Sequence, residues 1–261
     1  MYIDTHAHLY ANDFSDDSAH MINRAIEAGV ERIILPNIDE TSVEPMLNLT
    51  AQYPCHLFPL IGLHPTSVNS NYLCQLRTIE SWLKEKSFYG IGETGIDLYW
   101  DKTFLQEQID SFKIQLSWAR DLNIPVVIHV RNSFDETIEA IEKMQDGRLQ
   151  GVFHCFTGTH NEALRIIDLG FHLGIGGVVT FKNSTLTQFL SGIDLNRILL
   201  ETDAPYLAPA PFRGRRNESS YLTHIALKVS EIYGLPLEEI ARQTTSNAEL
   251  LFRLETQNPV K

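Results

Sequence analysis

The stretch that decides the fold begins the chain and reads Met1-Tyr2-Ile3-Asp4-Thr5-His6-Ala7-His8-Leu9. Its apolar start is typical of a β-strand, in which successive side chains point to opposite faces. His6 and His8 would therefore point to the same side, close together at the end of that strand. Two imidazoles on one face can bind one metal ion. The pair alone is weak evidence, because a His-x-His occurs often by chance as surface or core histidines.

Length and composition favour one large α/β domain. The chain has 261 residues, of which 43% are hydrophobic and 21% charged, enough to bury a sizeable core. No apolar run approaches the roughly 18 residues that a membrane span needs, and the start of the chain lacks a signal-peptide pattern. Three cysteines without CxxC spacing, Cys55, Cys74 and Cys155, predict a reducing compartment and hence a cytoplasmic location.

The net charge of −12 argues against broad electrostatic binding to nucleic acid, which requires a basic surface. It does not exclude a nucleic-acid enzyme whose local positive charge comes from metal ions and a few arginines. The charge therefore bears on steering and solubility, and the site has to be judged separately.

Short runs rich in Ile, Val and Leu recur along the whole chain and predict eight β-strands. The predicted strands are Tyr2–His6, Arg32–Pro36, Leu57–His64, Tyr89–Glu93, Pro125–His129, Gly151–His154, His172–Gly176 and Ile198–Thr202. Stretches of helical period lie between them, and four Ser/Thr–Glu/Gln pairs have the spacing of a capping box. These pairs are Thr41/Glu44, Thr103/Gln106, Ser133/Glu136 and Thr159/Glu162.

Eight strands that alternate with helices over about 250 residues match a (β/α)₈ TIM barrel in number and length. We therefore predict a single domain over residues 1–254, followed by a frayed tail over residues 255–261. A short helix from Leu237 to Ala241 is predicted before the segment Asn247 to Leu254. The alternative is a doubly wound open sheet, although no Gly-x-Gly-x-x-Gly follows a strand to support a dinucleotide-binding version.

The ends of the predicted strands carry side chains that can bind a metal ion. They are His6, His8, His64, Glu93, His129, His154 and Asp203. In a (β/α)₈ barrel, all of these ends gather on one face, where the active site lies. A single histidine after an apolar run is more often a satisfied core or surface residue. A metal site, however, explains all of these polar residues together, because the apolar runs that they follow would not tolerate unpaired charges.

The chain resembles the TatD family of metal-dependent deoxyribonucleases, which belongs to the amidohydrolase-like superfamily. The resemblance covers nearly the whole length. The matching segments are Ile3–His8, Gly62–Pro65, Ile91–Asp97, Ile128-His129 with Arg131, His154–Gly158, Leu200–Leu207, Arg213–Glu218, and Asn247-Ala248 with Leu251-Phe252. One departure is Ser219, where family members tend to have Pro, and this loop position puts nothing catalytic in doubt.

The resemblance implies a two-metal site with Glu93 bridging the ions. One ion would be held by His6, His8, Glu93 and Asp203, and the other by Glu93, His129 and His154. Strand 4 offers Glu93 where many superfamily members have a carboxylated lysine, which favours the nuclease branch over the cyclic-amidase and phosphotriesterase branches. The predicted cofactors are two divalent ions, Mg²⁺, Mn²⁺ or Zn²⁺. Histidine-rich ligands suit the softer ions, whereas the family is usually described as Mg²⁺-dependent.

Catalytic roles are predicted for three residues. Asp203, at the edge of the metal pair, would orient the attacking water and accept its proton, and Glu93 would hold the ions together. His64 would act in acid/base chemistry or hold a phosphate oxygen, with a helix-capping or Pro-loop histidine as the alternative.

Arginines are the candidates for binding the substrate phosphates, because guanidinium matches phosphate oxygens bidentately. The candidates are Arg131, Arg213, Arg215 and Arg216. For Arg215 and Arg216 a solvated basic loop is an equal alternative. Tyr99 and Trp100 could stack on a base, although an aromatic residue after a barrel strand more often packs within its loop. Cys155 should point away from His154 and pack rather than bind metal.

The function that follows is a divalent-metal-dependent DNase, acting as a 3′–5′ exonuclease on single-stranded DNA and, by extension, RNA. The alternative is a metal-dependent ester or amide hydrolase such as a D-aminoacyl-tRNA deacylase. A metal-binding scaffold without turnover is the non-enzymatic alternative, which no missing ligand favours. The expected partner is single-stranded DNA or a short nucleic-acid end, with no membrane and no obligate protein partner.

Overall fold

The computed structural model describes residues 1–254, so the tail predicted over residues 255–261 lies outside the described residues. Parallel strands alternate with helices along the chain. The strands are β1 Tyr2–Asp4, β2 Val30–Leu35, β3 Leu57–Pro59, β4 Ile91–Asp97, β5 Val126–Arg131, β6 Gly151–Phe153, β7 His172–Ile175 and β8 Ile198–Leu200. The helices are α1 Ser18–Glu27, α2 Val43–Gln52, α3 Tyr72–Glu85, α4 Leu105–Leu122, α5 Phe134–Met144, α6 His160–Asp168, α7 Leu222–Tyr233 and α8 Leu237–Phe252.

The strands close into a barrel. β1 to β3 pair in sequence order, and so do β4 to β8. Backbone pairs between Ile61 and Ile91 and between Ala7 and Ala204 join the two groups. At the second seam the Thr5 amide donates to the carbonyl of Leu200 over 3.0 Å. The predicted (β/α)₈ barrel is therefore confirmed, and the open sheet is wrong.

The barrel has two apolar layers. Ile3, Ile34, Phe58, Val127, Val152 and Leu199 form one cluster with Ala248, Leu251 and Phe252 of α8. The larger cluster lies between the outer faces of the strands and the helices. Strand alternation explains the division, because neighbouring residues of a strand face opposite layers. The last helix thus packs against the inward-facing side chains of the strands. The carboxyl ends of the strands stay free to form the site.

Several predicted bounds differ from the structure. β4 begins at Ile91 and continues to Asp97, so Glu93 lies within the strand and not at its end. The connection from β7 to β8 contains only 3₁₀ turns. α8 is one helix of 16 residues, so the predicted short helix ending at Ala241 is wrong. Its Thr244 hydroxyl donates to the carbonyl of Ile240 over 2.8 Å, which accommodates a β-branched residue within the helix.

Only one of the predicted capping pairs forms a capping box, that of Thr159 with Glu162 at the start of α6. The hydroxyls of two others have partners elsewhere, since Thr41 donates to Asp39 and Ser133 to the carbonyl of Ile96. Among residues 1–254, no helix combines the length and the apolar character needed to cross a bilayer.

Candidate metal centre

The carboxyl ends of the strands surround a cavity of about 580 Å³. The predicted metal-binding and catalytic residues that line it are His8, His64, Glu93, His129, His154 and Asp203. His6 lies just beneath, fully buried. The structure therefore brings all of these residues together, although they come from strands distributed over 200 residues of sequence. Cys155, Arg131 and Trp100 also line this cavity.

One set of donor atoms lies around one oxygen of Glu93. His6 Nε2 is 3.2 Å from Glu93 Oε2 and 3.2 Å from His8 Nε2. Asp203 Oδ1 lies 3.7 Å from His6 Nε2 and 3.8 Å from His8 Nε2. The ligand atoms of His6, His8 and Asp203 all lie within 4.8 Å of one another, so this group could hold a metal ion.

A second set lies around the other oxygen of the same carboxylate. Glu93 Oε1 is 2.8 Å from His129 Nδ1 and 2.8 Å from His154 Nε2, and the two imidazole nitrogens are 3.4 Å apart. The two oxygens of Glu93 thus face different groups of histidines. This placement is what a carboxylate needs in order to bind two cations at once.

His64 approaches the second set from the loop after β3. Its Nε2 lies 3.3 Å from Glu93 Oε1, close enough for His64, Glu93 and His129 to form a further possible ligand group. The Thr66 amide donates to His64 Nδ1 over 3.2 Å. Since a backbone amide can only donate, Nδ1 must accept, and the neutral ring carries its proton on Nε2. His64 therefore presents an N–H group to the site, which suits a hydrogen-bond donor better than a metal ligand. The predicted alternative of a capping histidine also holds, because His64 caps a 3₁₀ turn.

The pKa values in the cluster depend on burial and on the charges of the neighbouring side chains. Burial would raise the pKa of Glu93, but the charges of His154, His64 and His6 outweigh it and hold that pKa well below its usual range. Burial lowers the pKa of His6, and the charge of His154 lowers it further. Burial raises the pKa of Asp203 to about 6.

These residues fit a bound cation. The Nε2 atoms of His6 and His8 lie 3.2 Å apart inside a buried site. The other nitrogen of His6, Nδ1, is also buried and has no hydrogen-bond partner among residues 1–254. A cation bound between the two Nε2 atoms would also contact the carboxylates of Glu93 and Asp203, and imidazole nitrogens and carboxylate oxygens are the donors that divalent transition metals take in proteins. Imidazole and carboxylate donors suit Zn²⁺ and Mn²⁺, whereas Mg²⁺ prefers oxygen ligands.

Two further carboxylates stand behind the histidines, and both were missed as functional residues in the sequence. Asp97 Oδ2 lies 2.9 Å from His129 Nε2, opposite the nitrogen that faces Glu93. Glu201, fully buried, has Oε1 3.5 Å from His154 Nδ1 and accepts a hydrogen bond from the Cys155 amide. Carboxylates in this position orient metal-binding histidines. The strand period could have found Asp97, which shares a strand face with Glu93, whereas Glu201 lies beyond the end of β8.

Room for Glu201 depends on a glycine. A Cβ atom added to Gly174 would lie 2.3 Å from Glu201 Oε2. That contact would force the carboxylate to move, so β7 must carry glycine here.

Burial would raise the pKa of Asp97, but its hydrogen bonds with His129 and with the amides of Tyr99 and Trp100 outweigh it and lower that pKa.

The predicted arginines occupy different surroundings. Arg131 lines the cavity, but Arg213, Arg215 and Arg216 are not among its lining residues. Arg213 lies over the ring of Phe181 at 3.5 Å. Arg216 donates to both carboxylate oxygens of Asp17, over 2.7 and 2.8 Å.

Arg216 belongs to a four-residue network that we call the clasp, formed by Asp17, Arg24, Arg216 and Glu218. Arg24 donates to Asp17 over 3.1 Å and to Glu218 over 2.6 Å. The clasp ties the segment after β8 to the start of α1. Hydrogen bonds from Arg216 and Arg24 lower the pKa of Asp17 to about 2. The guanidinium of Arg216 is therefore already bound by a carboxylate of this chain.

The predicted orientation of Cys155 is wrong. β6 ends at Phe153, and the backbone of Cys155 turns into the left-handed region with φ of 46°. Alternation along the strand therefore does not apply at this position, and Cys155 lines the same cavity as His154. Among residues 1–254, it is not part of the groups whose ligand atoms could hold a metal ion.

Comparison with known proteins assigns the family. The model described as TatD related DNase matches residues 3–253 of this chain. The chain belongs to the TatD family. It is a metal-dependent hydrolase, and a curated relative from Bacillus subtilis, "Uncharacterized metal-dependent hydrolase YabD", is 35% identical over 97% of this chain and 100% of that protein.

Two further relatives bear on activity and structure. A protein from Pantoea ananatis named "3'-5' ssDNA/RNA exonuclease TatD" is 32% identical over 96% of this chain and 99% of its own length. The crystal structure of YjjV, a TatD homologue from Escherichia coli K12, superimposes with a TM-score of 0.91 at 29% identity, covering 97% of this chain and 98% of that one. The TatD-type barrel and the single domain thus extend over the described chain.

Proposed function

We propose that this TatD-family protein is a divalent-metal-dependent exonuclease that hydrolyses phosphodiester bonds at the 3′ ends of single-stranded DNA or RNA. The observation that carries the proposal is the position of Glu93, whose two oxygens face two separate groups of histidines. The printed activity of the relative from Pantoea ananatis supports the choice of substrate.

Two divalent ions fit this arrangement. His6, His8, Glu93 and Asp203 would hold one, and Glu93, His129 and His154 the other. Bound there, the ions would activate a water molecule and stabilise the charge of the attacking and leaving oxygens in an in-line displacement at phosphorus. Mg²⁺, Mn²⁺ and Zn²⁺ are the candidates to be compared.

The chain's own residues supply the proton transfers and the positioning. Asp203 accepts the proton of the attacking water, a role that suits a carboxylate at the edge of the metal pair. Burial lowers the pKa of His64, so its ring is neutral there and its Nε2–H group can donate to a phosphate oxygen. Arg131, at the cavity wall, binds a backbone phosphate.

The acidic surface favours short or frayed single-stranded ends over long duplexes. The net charge of −12 disfavours extended binding along a phosphate backbone. Arg213 and Arg215 stay predicted phosphate contacts outside the cavity wall. We place the protein in the cytoplasm on the odd number and spacing of its three cysteines.

A nuclease assay with defined ends tests the proposal. Purified protein is given a single-stranded oligonucleotide labelled at its 5′ end, with Mg²⁺, Mn²⁺ or Zn²⁺ in separate reactions. We expect a ladder that shortens from the 3′ end, and no cleavage when that end is blocked by a phosphorothioate cap. A D-aminoacyl-tRNA assayed in parallel tests the deacylase alternative.

The matched control is a pair of glutamate variants. Glu93→Gln should abolish cleavage, whereas Glu139→Gln, at an exposed position on α5, should cleave like the wild type. Cleavage by Glu93→Gln at the wild-type rate would contradict the assignment of Glu93 as the residue that bridges the two ions. Hydrolysis of the aminoacyl ester without cleavage of the oligonucleotide would overturn the proposal in favour of the deacylase.

A further inference from the structure

Two large aromatic side chains stand exposed beside the metal centre. Trp100 is 70% exposed and Tyr99 is 52% exposed, and Trp100 lines the cavity that contains Glu93. Burying an aromatic ring is strongly favourable, so such exposure next to a cavity indicates a surface kept for a ligand. The two rings meet edge to face, with centroids 4.9 Å apart and an interplanar angle of 87°.

Arg131 gives this surface its charge. Its guanidinium carbon lies 3.7 Å from the ring centroid of Tyr99 and 5.3 Å from that of Trp100. Arg131 also lines the cavity, and among residues 1–254 no carboxylate forms an ion pair with it. By contrast, Arg216 and Arg24 are both paired with carboxylates in the clasp. In a chain of net charge −12, an arginine left without a carboxylate beside two exposed rings complements an anionic, aromatic ligand.

The backbone holds this surface in place. Asp97 Oδ1 accepts hydrogen bonds from the amides of Tyr99 over 2.8 Å and Trp100 over 3.3 Å. Gln108 of α4 fixes Asp97 in turn, since its side chain accepts from the Asp97 amide and donates to the Asp97 carbonyl. The other oxygen of Asp97 lies 2.9 Å from His129 Nε2. One carboxylate thus connects the aromatic pair to a predicted metal ligand, which fixes the distance between the two.

We infer that Tyr99, Trp100 and Arg131 form a stacking platform for a nucleobase of the single strand whose phosphodiester lies in the metal centre. Trp100 stacks on the base, and Arg131 binds the phosphate attached to it. Stacking is tolerant of sequence because every base has a π-face, so the platform selects unpaired strands without selecting a sequence. A base within a duplex has both faces covered and cannot stack there. The inference rests on the proposed nuclease function and names the substrate feature that the site recognises.

A combination of protein and substrate changes tests the platform. Wild type, Trp100→Ala and Trp100→Phe are titrated with a fluorescein-labelled dT₆ in EDTA, and binding is followed by anisotropy. The same titration uses dT₆ oligonucleotides with one abasic site, moved one position at a time from the 3′ end. A matching rU₆ series separates DNA from RNA as the source of the base. Leu250→Ala, at an exposed position of α8, is the surface control.

We expect Trp100→Ala to weaken binding about fivefold or more, and Trp100→Phe to retain most of the affinity. One abasic position should cause a similar loss in the wild type and almost no additional loss in Trp100→Ala. In cleavage with Mn²⁺, the same variant should raise KM and leave kcat within about twofold. An unchanged affinity of Trp100→Ala, or abasic and protein effects that multiply at every position, would overturn the platform.

The outcomes separate this inference from the nuclease proposal. Binding that shows the coupled losses without any cleavage would support the platform and contradict the exonuclease. Cleavage from the 3′ end without coupled losses would support the exonuclease and overturn the platform. Absence of both binding and cleavage would overturn both.

Discussion

The metal centre and the clasp both join the two ends of the chain through charged side chains, but they differ in how those charges are satisfied. In the clasp, two arginines meet two carboxylates, and each charge has an opposite partner within 3.1 Å. In the metal centre, four imidazoles and two carboxylates face one another, and no arginine or lysine forms an ion pair with Glu93 or Asp203 in the described part of the chain.

This difference separates a structural contact from a binding site. The clasp is complete as it stands, so it can stabilise the fold without any ligand. The metal centre gathers imidazole nitrogens and carboxylate oxygens that can bind a cation, so a metal ion is a ligand that it fits. Residue type alone did not reveal the difference, since Arg216 was predicted to bind phosphate and the structure pairs it with Asp17.

The largest effect is expected when the carboxylate that faces both groups of histidines is removed from the metal centre. Glu93→Gln keeps the shape of the side chain but loses the charge shared by both histidine groups, so we expect activity to fall about 10³-fold or more. The thermal unfolding of this variant in EDTA should stay close to that of the wild type. Steady-state cleavage of a labelled oligonucleotide and unfolding followed by circular dichroism measure the two effects. Retained metal-dependent turnover would show that Glu93 does not bridge.

A second measurement compares the two regions through metal-dependent stability. With free Mn²⁺ or Zn²⁺ at about 100 times its Kd, the free energy of unfolding should rise by about 2.7 kcal/mol for each ion bound, because the ions bind only the folded state. The increase should persist in Asp17→Asn, which alters the clasp, and disappear in the double variant His6→Ala/Glu93→Gln. Differential scanning calorimetry with and without EDTA makes the comparison. An equal increase in the double variant would place the metal elsewhere.

A smaller effect, on metal affinity, is expected from substituting the two carboxylates behind the histidines. Asp97→Asn and Glu201→Gln should each weaken metal binding about 10- to 100-fold, because the carboxylates orient His129 and His154. Competition titration with a chromogenic chelator reads affinity directly and does not depend on turnover. A metal affinity within twofold of the wild type in both variants would show that these carboxylates do not orient the histidines for metal binding. Asp13→Asn, an exposed change outside the site, is the control.

The smallest effect should come from the clasp. Asp17, Arg24 and Arg216 are roughly one-third exposed, so Asp17→Asn should lower the free energy of unfolding by about 1 kcal/mol or less at pH 7. The pKa of Asp17 is about 2 in the folded protein and 3.8 as a free group. The contribution is therefore present above about pH 4 and is lost as the pH falls through about 2, below which the carboxylate is protonated in both states. Denaturant unfolding at pH 7 and pH 3 should show the difference between variant and wild type shrinking.

A further variant tests the role of Arg216. Arg216→Met should lower the free energy of unfolding by about as much as Asp17→Asn does, and it should leave KM for the oligonucleotide unchanged. A raised KM with a reduced salt dependence would instead restore its predicted contact with phosphate.

The barrel and the ligand groups were predictable because they depend on local patterns. Alternation in a strand places polar residues on one side, and parallel strands bring their ends to one face, so His6 and Asp203 could be grouped without a structure. Asp97 follows the same alternation within β4 and Glu201 comes directly after β8, but they lie two to four residues from stronger candidates and were not assigned. Glu93 was placed at a strand end, whereas β4 continues to Asp97.

Long-range contacts were not predictable from local sequence. The partner of Arg216 is Asp17, 199 positions away, and nothing near either residue indicates the pairing. The continuation of α8 beyond Ala241 likewise depends on the barrel. Buried Asn247 donates 2.8 Å hydrogen bonds to the carbonyls of Leu195 and Ile198, which satisfy a polar residue that would otherwise disfavour a buried helix.

The seam between β1 and β8 has a consequence for the timing of synthesis. Thr5 hydrogen-bonds to Leu200, 195 positions later, and His6 accepts a hydrogen bond from the Asp203 amide. During translation, β1 leaves the ribosome long before β8 is synthesised. His6 and His8 therefore lack the ligands that follow β8 until most of the chain has been made. A nascent or truncated chain would therefore lack the complete set of ligands, and hydrolytic activity would appear only once nearly the entire protein has been released and folded.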